Sequence, residues 1–240
     1  MKTVQTSAKI WAIVPAAGSG QRFSQKKLKQ YQMIAHQTVL QHSLERLNVL
    51  PLQGYVLVVQ KDDDFVQSLS FVHPERAHFC EGGVERVDSV LNALRYLSQI
   101  ADENDYVLVH DAARPCVTAE SLNHLVEQAF ALQCSAILAT PVRDTLKKVP
   151  NGQIIEHTVN RDNLWQAQTP QLAKLGTLKF AIETALAANV TITDEASALE
   201  FVQEKVIVVA GRADNIKITY PDDLALAELI LASQQKNDLS

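Results

Sequence analysis

The sequence predicts an α/β protein: a Rossmann-like, three-layer α/β/α fold with a mainly parallel sheet and a protruding β-hairpin arm. Three observations point there. Short apolar runs alternate with amphipathic helical stretches along the chain. The runs are near-continuous and rich in Val and Ile, as strands covered on both faces are. One polar segment, 143–165, breaks the rhythm and contains Asn151-Gly152, a strong hairpin-turn pair.

Taken in order, the predicted strands are "WAIVPA" (11–16), "YVLVV" (55–59), "YVLVHD" (106–111), "AILAT" (136–140) and "KVIVVAG" (205–211). The first is read as a strand and not a signal peptide, because Pro15 interrupts it and a basic loop follows. Val87, Val90, Leu91, Leu94 and Leu97 form a helical stripe, as do Leu122, Leu125, Val126, Ala129 and Phe130 behind an N-cap at Thr118. Pro221 occupies a first-turn position ahead of a last helix, "DDLALAELILA". The hairpin runs are polar at many positions and have little core of their own. Such a hairpin is marginal alone and must pack on something, its own domain or a second subunit.

Composition narrows the function classes. An apolar fraction of 47% and a charged fraction of 20% over 240 residues are ordinary for a globular chain. No apolar run approaches the ~20 residues of a membrane span, so no membrane partner is expected. Cys80, Cys116 and Cys134 are scattered, which argues against a disulfide framework or zinc site and for the cytoplasm. The net charge of −5 hides an asymmetry: residues 1–44 carry +6 without one Asp or Glu, and the rest carries −11. A local positive field on an acidic protein suits a small anionic ligand, whereas a nucleic-acid binder is more often basic over a whole face.

The basic stretch is "VPAAGSGQRFSQKKLKQY" (14–31). Gly18 and Gly20 follow the first strand directly, where glycines let backbone N–H groups approach a phosphate. Phe23 stands where a dinucleotide fingerprint needs its third glycine, and no ribose-binding acid follows at the expected spacing, which weighs against a nicotinamide oxidoreductase. No Gly-x-x-x-x-Gly-Lys-Ser/Thr is present, which excludes a P-loop NTPase.

These residues, with "EGGVERVDSV" (81–90), "VLVHDAARP" (107–115), "PVRDTLK" (141–147), "HTVNRDNLW" (157–165), "QTPQ" (168–171), "TITDEASALE" (191–200) and "GRADNIKIT" (211–219), resemble the 2-C-methyl-D-erythritol 4-phosphate cytidylyltransferase family in order over most of the chain. One departure is Leu28, where the family usually has Pro. The resemblance implies a single nucleotidyltransferase domain over 1–240 with a dimerisation arm at about 141–169. It implies CTP and an alcohol phosphate as substrates, Mg²⁺ as cofactor, and a homodimer with shared active sites.

The implied site follows residue by residue. Arg22 and Lys29 stabilise the transition state; Arg161 and Lys217 bind the substrate phosphate and aim its oxygen. Pro15, Ala16, Ala17, Gly18, Gly20 and Ala112 contact the nucleotide, and Gly82, Gly83 and Ser89 read cytosine. Asp111 and Arg114, with Thr145 and Thr193, contact the substrate. Asp111 is also the candidate Mg²⁺ contact; the alternative is a structural cap with Arg114. Lys26 and Lys27 match no family role. The rivals are a relative acting on ribitol phosphate or a sugar 1-phosphate, and a non-catalytic nucleotide sensor. The sensor would have no reason to keep separated cations aimed at a second phosphate.

Overall fold

The structure, a computed structural model, describes residues 8–18, 23, 28–150 and 152–238. Eleven strands and seven α-helices occur among them: β1 (Ile10–Pro15), β2 (Met33–Ile34), β3 (Gln37–Thr38), α1 (Val39–Leu47), β4 (Leu52–Val59), α2 (Asp64–Gln67), β5 (Ala77–Glu81), α3 (Arg86–Leu97), β6 (Tyr106–Val109), α4 (Ala119–Leu132), β7 (Ser135–Pro141), β8 (Leu146–Lys148), β9 (His157–Val159), β10 (Trp165–Lys174), α5 (Leu175–Ala187), α6 (Glu195–Phe201), β11 (Val206–Ala210) and α7 (Asp223–Asp238). No helix of the described residues is long and apolar enough to cross a membrane.

Seven strands form one sheet in the order β11-β7-β10-β6-β1-β4-β5. All pairings are parallel except those of β10, which runs antiparallel to both β6 and β7. Alternation along β1 divides the core. Ile10, Ala12 and Val14 face Leu40 and Leu44 of α1 and Leu122 and Leu125 of α4. Trp11 and Ile13 face Val90 and Leu94 of α3, Leu178 and Ile182 of α5 and Leu199 of α6. The result is three layers, as the apolar runs require. A smaller cluster seats Ala227 and Leu231 of α7 against Phe23, Ile34, Val39, Ala113, Cys116 and Ile218.

The five predicted strands and three helices are present. Thr118 caps α4 by accepting the Ser121 N–H at 3.3 Å. Pro221 lies two residues ahead of α7 and not in its first turn.

The strand β10 is an addition to the predicted set. At residues 168–170 its register against β7 breaks, so that Ala167 pairs with Ala139 and Gln171 with Ile137. Such a bulge turns side chains out of the ladder. Here it delivers Gln168 and Thr169 to the neighbourhood of Asp111 and Asn215.

In the polar segment, β8 and β9 form a separate antiparallel ladder of three residue pairs, Leu146↔Val159 to Lys148↔His157. The connection covers 149–156 and is not a tight two-residue turn. Gly152 has φ +64, the left-handed value a turn glycine supplies, while Asn151 lies outside the described residues. Ile154 and Ile155 of this connection are exposed.

Candidate active site

A cleft of about 470 Å³ opens where β1, β4, β5 and β6 end. This carboxyl edge is where open α/β sheets bind ligands. One wall is the β1 exit, Pro15 to Gly18, with Lys29 and Gln30; the other is the loop Gly82 to Arg86 with Ser89. Asp111 to Ala113 and Lys217 form the floor, and Gln60 and Lys61 the rim.

Side-chain amides hold the first wall. The buried Gln30 donates Nε2 to the Ala16 carbonyl at 2.6 Å, and Gln60 donates Nε2 to the Ala17 carbonyl at 3.0 Å. Lys29 donates Nζ to the Ile218 carbonyl at 2.9 Å, which ties the basic stretch to the segment carrying Lys217. Leu28 has φ −70, a value a proline ring would also hold, so the departure from the family pattern leaves this backbone unchanged in type.

The second wall needs its glycines for close approach. A Cβ on Gly82 would overlap the Ala17 methyl, and one on Gly83 would overlap the Asp88 Cβ. Ser89 Oγ accepts the Gly83 N–H at 3.1 Å and donates to the Glu85 carbonyl at 3.2 Å. Its hydroxyl therefore shapes the loop whose backbone faces the cleft.

Asp111 is the electrostatic centre. It is buried, and three cations surround it: Lys217 Nζ at 2.7 Å and Arg114 Nε at 3.6 Å from Oδ2, and Arg86 Nε at 3.2 Å from Oδ1. Burial alone would raise its pKa. Arg86, Lys217 and Arg114 outweigh that and hold the carboxyl well below the usual range. Arg114 donates Nη1 to the Asn215 carbonyl at 2.6 Å, while its buried Nε–H makes no hydrogen bond among the described residues. Arg86 reaches the other way as well. It donates Nη1 and Nη2 to the two carboxylate oxygens of Glu195 at 2.7 and 3.2 Å.

Behind Asp111 sits His110, fully buried. Its Nε2 lies 3.0 Å from the Arg114 carbonyl, which only accepts, so Nε2 carries a proton. Thr169 Oγ1 accepts the Asp111 N–H at 3.0 Å and lies 3.2 Å from His110 Nδ1, to which it donates. Burial outweighs the opposing Asp111 charge and Arg114 carbonyl and, with Arg114 and Arg86, pushes the imidazole down to about 4, so it is neutral and structural.

The described lining thus holds four cations, Lys29, Lys61, Arg86 and Lys217, against two carboxylates, Glu85 and Asp111. Such a site accepts a polyanion and stabilises charge that builds up during transfer between phosphates.

The 2-C-methyl-D-erythritol 4-phosphate cytidylyltransferase family model matches residues 10–233. The chain belongs to this family. The Acinetobacter baumannii (strain ACICU) cytidylyltransferase of this name is 67% identical over 231 residues, 96% of this chain and 97% of that protein. The Vibrio cholerae serotype O1 enzyme is 49% identical over 226 residues, 94% and 97% of the two chains. Among solved structures, the Francisella tularensis cytidylyltransferase superposes with a TM-score of 0.82 at 36% identity, covering 93% of this chain and 100% of that one. The Thermus thermophilus structure gives 0.77 at 28% identity, covering 92% and 98%.

Against that family frame, the cleft gathers Pro15, Ala16, Ala17, Gly18, Lys29, Gly82, Gly83, Ser89, Asp111, Ala112 and Lys217, all singled out from sequence. Arg114 stands beside the cleft on Asp111. Gly20, Arg22, Lys26 and Lys27 lie outside the described residues. Thr145 and Arg161 are exposed on the 142–164 segment and do not line the cleft; Arg161 donates Nη1 to the Arg143 carbonyl. Thr193 lines a smaller cavity of about 120 Å³ on the far side of Arg86. Asp194 caps α6 by accepting the Ser197 N–H at 3.0 Å.

Sequence reading missed Gln30, Arg86, Thr169, Glu195 and Asn215. Each falls inside a quoted stretch, but nothing local marked it: an Arg after a glycine turn reads as a solvated charge, and its partner Glu195 is 109 residues away.

Proposed function

We propose that the chain transfers CMP from CTP to 2-C-methyl-D-erythritol 4-phosphate, giving 4-diphosphocytidyl-2-C-methyl-D-erythritol and pyrophosphate. The observation that carries this reading is the cleft itself: the family's glycine-walled loop and Lys29 face Asp111 and Lys217 across one cavity.

The chemistry needs no base, since the substrate phosphate is already an anion. A phosphate oxygen forms a bond to the α-phosphorus of CTP while the bond to the bridging oxygen breaks, and pyrophosphate leaves with the electron pair. Repulsion between the reactants is the barrier, so positioning and cationic stabilisation do the work. Lys29, with Arg22 from the same stretch, answers the triphosphate. Lys217, fixed by Asp111, answers the incoming phosphate.

Mg²⁺ is part of this proposal. Asp111 is the candidate carboxylate in the cleft, but both its oxygens already meet cations, and the described residues contain no cluster of three or more metal-ligating side chains. A Mg²⁺ there would be held mainly by phosphate oxygens and water, with Asp111 as an outer contact. When bound, it neutralises triphosphate charge.

The reading extends to a homodimer with shared sites. Arg161 and Thr145, assigned to the substrate phosphate by resemblance, are exposed and away from their own cleft. That supports a role in the partner's site, delivered by the 142–164 segment. Mixing two inactive variants, Lys29→Ala and Arg161→Ala, tests it. With shared sites, one site of each mixed dimer carries neither lesion, and random reassortment restores about one quarter of wild-type sites. Verified subunit exchange with no recovered activity rejects sharing.

The activity itself is tested by pyrophosphate release from CTP, ATP, GTP and UTP with Mg²⁺ and the methylerythritol, ribitol or sugar phosphates. The expected result is turnover with CTP and the methylerythritol phosphate. Equal kcat/KM for a purine nucleotide, or preference for ribitol phosphate, overturns it.

A further inference from the structure

We propose that Arg86 and Glu195 act as a pair of positioning residues, with Glu195 holding Arg86, and Arg86 holding the Asp111 carboxylate at the angle that aims Lys217. The inference rests on the function proposed above and adds two residues to its machinery.

The geometry is a relay of three groups from three elements. Glu195 opens α6, Arg86 opens α3, and Asp111 follows β6. The Glu195 side chain is 3% exposed and does not line the main cleft. It lies behind Arg86, bordering the smaller cavity with Ile182 and Ile192. Glu195 therefore meets the main cleft through the guanidinium it holds. Its two oxygens take two nitrogens of Arg86, a forked arrangement that fixes the plane of the guanidinium as well as its position.

The third nitrogen, Nε, then meets Asp111 Oδ1 at 3.2 Å. Asp111 Oδ2 faces Lys217 at 2.7 Å. With Oδ1 held by Arg86, the carboxylate cannot rotate about its Cβ–Cγ bond without losing one cation or the other. The division of labour between its two oxygens is thus set by Glu195, which touches neither Asp111 nor Lys217 in any hydrogen bond or ion pair described.

Two carboxylates, Glu195 and Asp111, flank Arg86 and set its position in the cleft wall. Without Glu195 the guanidinium keeps only Asp111 as an anionic partner and draws it away from Lys217. A simple packing role for the pair makes a different forecast, because its loss would act on folding and not selectively on one substrate.

The test uses the full chain and two substitutions. Glu195→Gln keeps shape but removes the charge of the fork. The double change Arg86→Met with Glu195→Met removes the pair without stranding either charge, which is the substitution that buried ion pairs tolerate best. Each protein is checked by circular dichroism and melting temperature, then assayed for pyrophosphate release with each substrate varied in turn. The expected result is a loss of about 10- to 100-fold in kcat/KM for the alcohol phosphate, with KM for CTP changed less than about 2-fold. Wild-type constants in Glu195→Gln overturn the proposal. So does recovery of full activity in the double variant, which would make the pair structural only. An inactive wild-type chain would remove the functional reading and this inference with it; an active wild type with indifferent variants removes this inference alone.

Discussion

Gly82→Ala is the sharpest test of how the cleft walls meet. The added methyl would overlap the Ala17 methyl and stand 3.1 Å from Ser89 Oγ and 3.4 Å from the Val59 carbonyl. Touching carbons sit about 3.5–4.0 Å apart, so the two loops must separate by roughly 1 Å. Neither side yields easily. Ala17 is held through its carbonyl by Gln60, and Gly82 through its N–H by the Val59 carbonyl at 2.8 Å. Overpacking of this kind costs about 1–3 kcal/mol. For a chain of this size that lowers Tm by roughly 2–12 °C. A wall displaced by about 1 Å also misplaces the nucleotide, a loss on the order of 10²-fold in kcat/KM for CTP. Gly18→Ala is the control: none of the described residues lies within 4 Å of its would-be Cβ, so Tm is expected to stay at the wild-type value. The measurements are thermal melts and pyrophosphate release with CTP varied. A Gly82→Ala protein with wild-type Tm and kcat/KM would refute the claim that these loops are in contact at their limit.

Three further outcomes are expected. Lys29→Ala lowers kcat by about 10²–10³ with a much smaller change in KM for CTP, because a charge-stabilising donor acts on the transition state; weakened CTP binding at normal kcat would contradict it. Excess EDTA abolishes turnover and added Mg²⁺ restores it, whereas full activity in the chelator removes the metal from the mechanism. His110 binds its proton more weakly folded, at about 4, than unfolded, near 6.5, so the unfolded chain holds more protons between those values. Stability contributed by this residue is therefore full above about pH 6.5 and declines by about 3 kcal/mol as pH falls to 4. His110→Gln, which keeps a donor for the Arg114 carbonyl, should flatten that part of the melting profile; an unchanged slope would contradict the assignment.

What sequence could reveal followed from local pattern. The Val- and Ile-rich runs of β1, β4, β6 and β7 announce themselves because strands buried on both faces have little polar content, whereas β11, an edge strand with Val208 exposed, is marked by its Val and Ile residues alone. β10 did not. Its sequence, WQAQTPQLAK, carries Pro170 and three glutamines, and proline inside a run normally demotes a strand. The bulge at 168–170 absorbs that proline, and two of the glutamines find partners that only the folded chain supplies, Gln168 on the Arg212 carbonyl and Gln171 on the Asp194 carboxylate. β5 was also silent, an edge strand whose residues are half-buried or exposed. In the site, glycine and lysine positions were legible because a motif carries them. Arg86 and Glu195 were not, because a long-range ion pair leaves no trace in the periodicity of either segment.

The reversed strand β10 has one more consequence. The chain leaves the sheet at Pro141 and returns at Trp165, and those two residues are neighbours in the ladder, with the Val142 N–H donating to the Leu164 carbonyl at 2.9 Å just beyond. The sheet therefore registers residues 143–163 as a closed loop, whatever their length or content. Had β10 run parallel to β7, the chain would have had to cross to the opposite edge first, and every change in the excursion would strain that crossing. As built, the segment carrying Thr145 and Arg161 can be lengthened, shortened or exchanged while the seven strands keep their register. Changes in the excursion and conservation of the scaffold are thereby uncoupled: a segment spliced between Pro141 and Trp165 has both its ends already hydrogen-bonded in place.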